Sequence, residues 1–580
     1  MGRLITNIGI VFFVLTFSYI GNAQKDSNKL SLTQDVPSEK VFLKINDSII
    51  LSGETLYYDF YSLITNSYSD ISKIAYVELV DRNRNVVFKH KLKLLNGRAS
   101  GDFFLPTSLK TGQYKLIGYT NWSLNNYENA YAHNDVYLIN PFLNAWDNNL
   151  ISTFGATEKY IEIGLVNKKL MTEQKNVNSE ITLFTIDSVY AKRQKVTLQI
   201  ENKEGASNFG SYTLSVKKMN SIFVAHNNTN QNIENEQKVK ELRLPDYRGE
   251  LISGKVINIK DNKPVEKISV SLSMQGDDVI YKSATTNKSG EFYFNMIENY
   301  DDKVGYLQLE LKDQHYYKIL LDSTYFDAYD DLKFYPLKIN KDIRNWVENR
   351  SVFNQVESAY FNLKRDSIIN QQNPLPFYGK PDLVYVLDDY TRFKTLKETF
   401  VEVVQQAAIR NDGQDYKFLV YENNAIDNTR LFDEASPLLI FNGVHFMDEK
   451  YVVEYDPKEI ESINLVKGTY IDGLIFYNGI IDIRLKTPNN FNFDQGSVLK
   501  LNVKPVINPK RYFYQTHESI DKHVPDFRTL LLWKPRFIVD APRKEIEFYT
   551  SSVTGFYEIV LEGFTEQGEK IYINSIFEVK

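Results

Sequence analysis

Seven histidines, at positions 90, 133, 226, 315, 445, 517 and 523, are the first residues to consider for acid–base or metal chemistry. They are scattered. Only His517 and His523, with Asp526 close by, approach a ligand set, and a gap of six residues within a loop is a poor chelate, so ordinary surface histidines are expected there. Asp382, Asp388 and Asp389 are close enough to be read as paired carboxylates, but turn and helix-start roles account for them. No Gly-x-Ser-x-Gly elbow, His-Glu-x-x-His, phosphate loop or dinucleotide fingerprint occurs. With no cysteine in 580 residues, thiol nucleophiles, disulfides and Cys-ligated zinc are excluded. The sequence names no catalytic residue, no metal and no cofactor, and a non-enzyme is expected.

The elements that carry these residues are β-rich. Aromatics make up 14% of the chain, with 39 Tyr and 36 Phe, and flat side chains of this kind pack well on a pleated surface. They would also serve as sugar-stacking platforms, but core and sheet-face packing is the expected use. The net charge of −6 brings no clustered Lys/Arg excess, which argues against a nucleic-acid partner. At the N-terminus, Arg3, the apolar run Ile8–Ile20 and then Gly21-Asn22-Ala23 before Gln24 have the order of a secretory signal over residues 1–23, cut between Ala23 and Gln24. An exported protein is expected, at the periplasm or the outer membrane, with three to five domains.

Alternating strands and turn signals place a β-sandwich over 38–145, in which Asn96-Gly97 is the strongest hairpin dipeptide. A second β domain is expected over 155–226, an Asn/Gln/Glu-rich linker over 227–246, and a third sandwich over 247–325. A helical segment follows at 339–365, capped by Asn340. Residues 375–488 read as a mixed α/β unit. Thr395 and Glu398 form a capping box there, opening a helix striped by Leu396, Phe400, Val403, Val404 and Ala407. A C-terminal β domain is expected over 489–580. The fold class is therefore mainly β with a mixed α/β unit, built as tandem immunoglobulin-like sandwiches.

Three stretches resemble known families. Gly53-Glu54-Thr55, Ile71–Leu79, Gly97–Gly101 and Gly112–Trp122 resemble a macroglobulin-type MG2 domain from large exported proteins of Gram-negative bacteria with type 9 secretion. Ser253–Val256, Pro264-Val265 and Thr286–Phe292 are similar to a carboxypeptidase regulatory-like domain, a sandwich without peptidase activity. Pro437–Val444, Asp456–Gly468 and Tyr477–Ile483 resemble the plug domain of TonB-dependent outer-membrane receptors, with Asn442-Gly443 where that family has Asp-Gly.

The plug resemblance implies a partner. Receptors of that family follow the plug with a barrel that needs over ~200 residues, whereas 92 follow Pro488 here. A plug without its own barrel is expected to dock on or occlude a separate outer-membrane β-barrel, as plug subunit of the type 9 translocon or accessory of a transport complex. The apolar connection Thr469–Asn478 is the candidate docking loop through Tyr470, Leu474, Ile475, Phe476 and Tyr477, while Asn442, Gly443, Lys467 and Gly468 form the motif turns. The alternative is a surface adhesin that captures glycan or peptide.

Overall fold

A computed structural model describes residues 37–126, 130–143, 159–166, 180–203, 205–226, 242–276, 279–297, 300, 303–311, 313–322, 329–369, 375–411, 413, 415–421, 435–447, 449–473, 475–487, 498–518 and 523–580. The expected signal segment, with Ala23 and Gln24, lies outside these residues, as do positions 227–241 of the linker. The chain is mainly β, arranged as sandwiches around one mixed α/β unit.

The first sandwich packs a sheet of Glu39–Ile45, Thr55–Ile64, Ser67–Tyr68 and Arg98–Phe104 against one that includes Ile49–Leu51, Ile74–Val80, Val86–Lys93, Gly112–Tyr119 and Ala132–Ile139. Every residue of Ile74–Val80 is buried, because this central strand is covered on both faces. Ala75, Val77 and Leu79 enter the core between the sheets, while Ile74, Tyr76 and Val80 meet Ile117, Tyr119 and Leu332 outside it. The Asn96-Gly97 turn forms as its sequence requires, with φ of 49° and 68°. A Cβ on Gly97 would approach the Ser62 carbonyl to 2.6 Å.

The largest departure from the sequence reading concerns 155–226 and 489–580, which do not form separate β domains. Ile181–Thr185, Lys195–Asn202 and Arg543–Tyr549 make one sheet. Val189–Tyr190, Gly210–Lys218, Leu530–Val539, Gly555–Thr565 and Lys570–Val579 make the sheet that faces it, and both share one core. The physical reason is pairing: Gly210–Lys218 is buried over its first seven residues and is hydrogen-bonded on one edge by Leu530–Val539 and on the other by Gly555–Thr565. Neither half of the sequence supplies enough strands alone.

Residues 219–529 lie inserted in this second sandwich. Ile161–Leu165, Ile222–His226 and Leu337–Ile339 form a small sheet covered by helix α1, Arg344–Ala359. Asn340 does not cap that helix with its side chain; a 3-10 turn over Lys341–Ile343 intervenes, and its amide bonds Glu162 at 3.0 Å. The third sandwich pairs Glu250–Asn258, Glu291–Met296 and Tyr317–Leu321 against Ser269–Met274, Ile280–Thr285 and Lys303–Leu309. The mixed unit has a five-stranded sheet ordered Leu383–Val386, Ile460–Asp472, Ile475–Leu485, Leu438–Phe441, Val444–His445. Helices α2 (Leu396–Glu402) and α3 (Glu449–Val453) contribute to its core. Thr395 caps α2 as expected, accepting from the Glu398 amide at 3.2 Å, but the helix stops at Glu402 and Ala407 opens a strand.

The chain then returns across all three bodies. Leu499–Val503 joins the third sandwich beside Lys303–Leu309, and Val506–Ile507 joins the first in parallel with Lys91–Leu92. Lys510–Arg511 pairs with Ser367–Ile368 before the second sandwich is closed.

Two expected outcomes test this arrangement. Phe577 packs against Tyr190, Phe548 and Tyr557, with ring centroids 5.6, 5.8 and 5.6 Å away. Phe577→Ala is expected to cost about 3–5 kcal/mol, and limited proteolysis should then cut within 181–218 as readily as within 530–579. Cuts confined to the C-terminal strands would show that the halves fold independently.

The second outcome concerns the seam under the first sandwich. The Asp246 carboxylate there accepts from Tyr76, from Asn121 Nδ2 at 2.9 Å and from the Leu251 amide at 2.8 Å. Burial, reinforced by nearby Glu250, pushes it up to about 7. Between about pH 4 and pH 7 the folded chain therefore holds a proton that the unfolded chain has released, and this group's contribution to stability falls as pH rises through that window. In urea unfolding, Asp246→Asn should gain on the parent chain across that range and stay level above it; parallel pH curves would refute the assignment.

Candidate functional site

The mixed unit's central hairpin pairs a 13-residue strand, Ile460–Asp472, with an 11-residue strand, Ile475–Leu485. The expected docking loop Thr469–Asn478 is thus the far end of two strands. A register shift between Val466 and Thr469, where Lys467 and Gly468 sit, sets three steps on this strand against two on its partner; Val466 and Tyr470 keep one face, and the phase changes on the partner between Ile480 and Tyr477. Gly468 has a φ of 89°, a conformation that favours glycine.

Beyond this bulge the faces are unequal. Tyr470 stands opposite Tyr477 and both turn toward the third sandwich, in a cluster with Val279, Tyr281 and Phe377. Tyr477 is only 7% exposed, and Ile475 is partly buried in the same cluster. These residues are therefore occupied within the chain, which corrects the expectation that they are free for a partner. Leu474 lies outside the described residues. The next cross-strand pair, Ile471 with Phe476, points to the other face and is 60% and 39% exposed. Sequence reading missed Ile471; strict alternation from Ile463 and Leu465 sets it on the face opposite Val466 and Tyr470.

The motif turn is also internal. Asn442 and Gly443 have φ of 50° and 82°, the tight turn that their types favour. The Asn442 carbonyl accepts from the Gly276 amide at 3.0 Å, and a Cβ on Gly443 would lie 2.5 Å from the Met274 carbonyl. Beside it His445 Nδ1 contacts Glu310 Oε1 at 2.9 Å, the His445 amide donates to Ser273 at 3.1 Å, and Gln308 Nε2 donates to the His445 carbonyl at 3.0 Å. At the hairpin's other end Ser283 donates to Asp472 at 2.5 Å. The Lys467 amide donates to Asp382 Oδ2 at 2.7 Å, so Lys467 and Asp382 are joined as structural partners. The mixed unit is stapled to the third sandwich at both ends.

The other sequence candidates have settled partners. Asp388 binds Arg392 and, at 2.9 Å, Lys486, which hold its carboxyl below the ordinary range. His517 Nε2 does meet Asp526, at 3.0 Å, but Arg528 already occupies that carboxylate at 2.7 and 2.8 Å. Burial pushes Asp526 up, yet Arg528 and His517 outweigh it and hold the acid well below its usual range. A guanidinium sits where a cation would have to bind. Among the described residues no group of three His, Asp or Glu side chains could hold a metal, and no helix is long and apolar enough to cross a membrane.

No protein-family model and no curated protein matches the chain. Solved structures with some likeness include the α2-macroglobulin of Escherichia coli activated by porcine elastase, at 8% identity over 93% of this chain and 44% of that one, with a TM-score of 0.22. The Salmonella α2-macroglobulin reacted with methylamine gives 9% identity over 96% of this chain and 40% of that one, at 0.23. Dimeric latent PorU from Porphyromonas gingivalis gives 10% over 53% and 34%, at 0.16. The chain spans less than half the length of these proteins. Scores of this size assign neither a family nor an activity.

Gly443→Ala tests the staple. A turn facing solvent would lose only the glycine's conformational freedom, about 1 kcal/mol. Against the Met274 and Gly276 carbonyls, strain and displacement together should reach about 2–4 kcal/mol, read as a lowered urea midpoint. A loss of about 1 kcal/mol or less would show that the turn is not packed.

Proposed function

We propose that this chain is a non-catalytic interaction protein of the periplasm or outer-membrane periphery, whose mixed α/β unit docks on a separate outer-membrane β-barrel. The most concrete setting is a plug subunit of the type 9 translocon or an accessory of an outer-membrane transport complex, which is what the plug resemblance implies. The sandwiches act as a rigid frame. The observation that carries the reading is the Ile471–Phe476 pair, two large apolar side chains left exposed at the end of a hairpin whose other face is fastened to the third sandwich. The non-catalytic part is supported by the engagement of the acid and histidine candidates with Arg392, Lys486 and Arg528.

The double variant Ile471→Asp, Phe476→Asp tests the docking surface. Both side chains face out, so export and the thermal transition should be unchanged. Affinity purification from native membranes, with mass spectrometry of co-purifying barrels, is expected to lose the barrel partner. Barrel association equal to that of the parent chain would remove the docking assignment.

A further inference from the structure

The first and second sandwiches meet along an aromatic seam, and a cleft of about 420 Å³ opens beside it. One wall is the strand Glu39–Ile45, paired with Thr55–Ile64 on one edge and, among the described residues, with no strand on the other. There the side-chain amides of Asn126 and Asn134 reach the carbonyls of Glu39 and Leu43. The facing wall is Glu562–Phe564 together with Lys570. Phe42 packs on Phe564 with ring centroids 4.8 Å apart, giving an apolar floor.

The Lys and Glu side chains around that floor are three lysines, Lys40, Lys44 and Lys570, and one acid, Glu562. Lys40 and Lys44 flank Phe42 at two-residue spacing, so the strand's alternation sets all three on one face. Lys44 reaches Glu562 at 2.5 Å and Lys570 reaches it at 3.4 Å. Burial would push Glu562 up, but the two lysines outweigh it and hold it below the ordinary range. The chain thus already seats one carboxylate of its own between two lysines beside an aromatic floor. Lys40 is exposed, and no carboxylate pairs with it among the described residues. His133 also lines the cleft and is kept below its ordinary pKa by burial and by Lys115.

We propose that this cleft binds an extended acidic peptide segment of another protein, with a carboxylate on Lys40 and an apolar neighbour over Phe42. The strand edge, unpaired among the described residues, favours a peptide over a glycan.

The probe is a short fluorescein-labelled peptide alternating glutamate and leucine, titrated by anisotropy against the full mature chain. Saturable binding that weakens with added salt is expected. Lys40→Glu, at an exposed position, should weaken it roughly tenfold, while the same reversal at exposed Lys110, remote from the cleft, should leave it unchanged. Far-UV circular dichroism confirms that both variants are folded. Absence of saturable binding at low salt, equal weakening by the two reversals, equal affinity for a lysine–leucine peptide, or tighter binding of oligogalacturonate would each overturn the proposal.

Discussion

Gly210–Lys218 is buried and hydrogen-bonded on both edges by strands that come only from residues 530–565. A buried strand without edge partners leaves peptide groups unsatisfied, at about 1–3 kcal/mol for each. The second sandwich therefore forms only when the chain comes back to it, and residues 219–529 are held as an insertion between its two halves. That requirement explains the route after residue 498. Leu499–Val503, Val506–Ile507 and Lys510–Arg511 each add a short strand to a different body on the way. The return path is itself part of the cores, since Val503 is buried in the third sandwich and Ile507 packs on the first.

The seams between bodies carry polar contacts beside apolar ones such as Phe42 on Phe564 and Tyr281 beside Tyr477. Arg350 on α1 clamps Glu54 of the first sandwich at 2.6 and 2.9 Å, reaches Asn220 at 3.3 Å, and lies 4.9 Å from the Trp346 ring. Across the seam with the second sandwich Asp59 accepts from Thr213 at 2.6 Å, and within its own strand from Tyr61 at 3.1 Å. Such groups gain little net stability when satisfied and cost several kcal/mol when one partner is removed. They act as registration: an apolar face tolerates sliding, whereas a bidentate guanidinium accepts one geometry. The His445–Glu310 contact and the Gly443 turn register the mixed unit on the third sandwich in the same way.

Local structure was legible in the sequence wherever one physical cause decides it. Asn96-Gly97 demands positive φ at two positions and makes the hairpin. Thr395 and Glu398 make the cap, and the buried run Ile74–Val80 makes a strand covered on both faces. Pairing between distant segments was not legible. Lys195–Asn202 carries the same alternation whether its neighbour is Ile181–Thr185 or Arg543–Tyr549, and it has both. At the candidate site counting by twos from Ile463 and Leu465, both in the core, reaches Ile471 and leaves Tyr470 on the other face, as found. The obstacle was the partner strand, where Ile480 and Tyr477, three residues apart across Gly479, turn to the same side. The Asp526 site was different, because Arg528 stood two residues away in the sequence and already argued for an ion pair over a metal.

The phase change on the partner strand at Gly479 decides what the mixed unit can offer a partner. Val466 and Tyr470 keep their alternation on one strand, while Ile480 and Tyr477, three residues apart, turn to the same side on the other. The tyrosines are covered with Tyr281 and Phe377, and Ile471 and Phe476 lie on the opposite face, outside the helix-covered core. At the hairpin tip the two strands pair only with each other, because Leu383–Val386 stops opposite Leu465 and Leu438–Phe441 opposite Ile480. A contact through the Ile471 and Phe476 side chains is face-on, which is the geometry of docking onto a preformed surface.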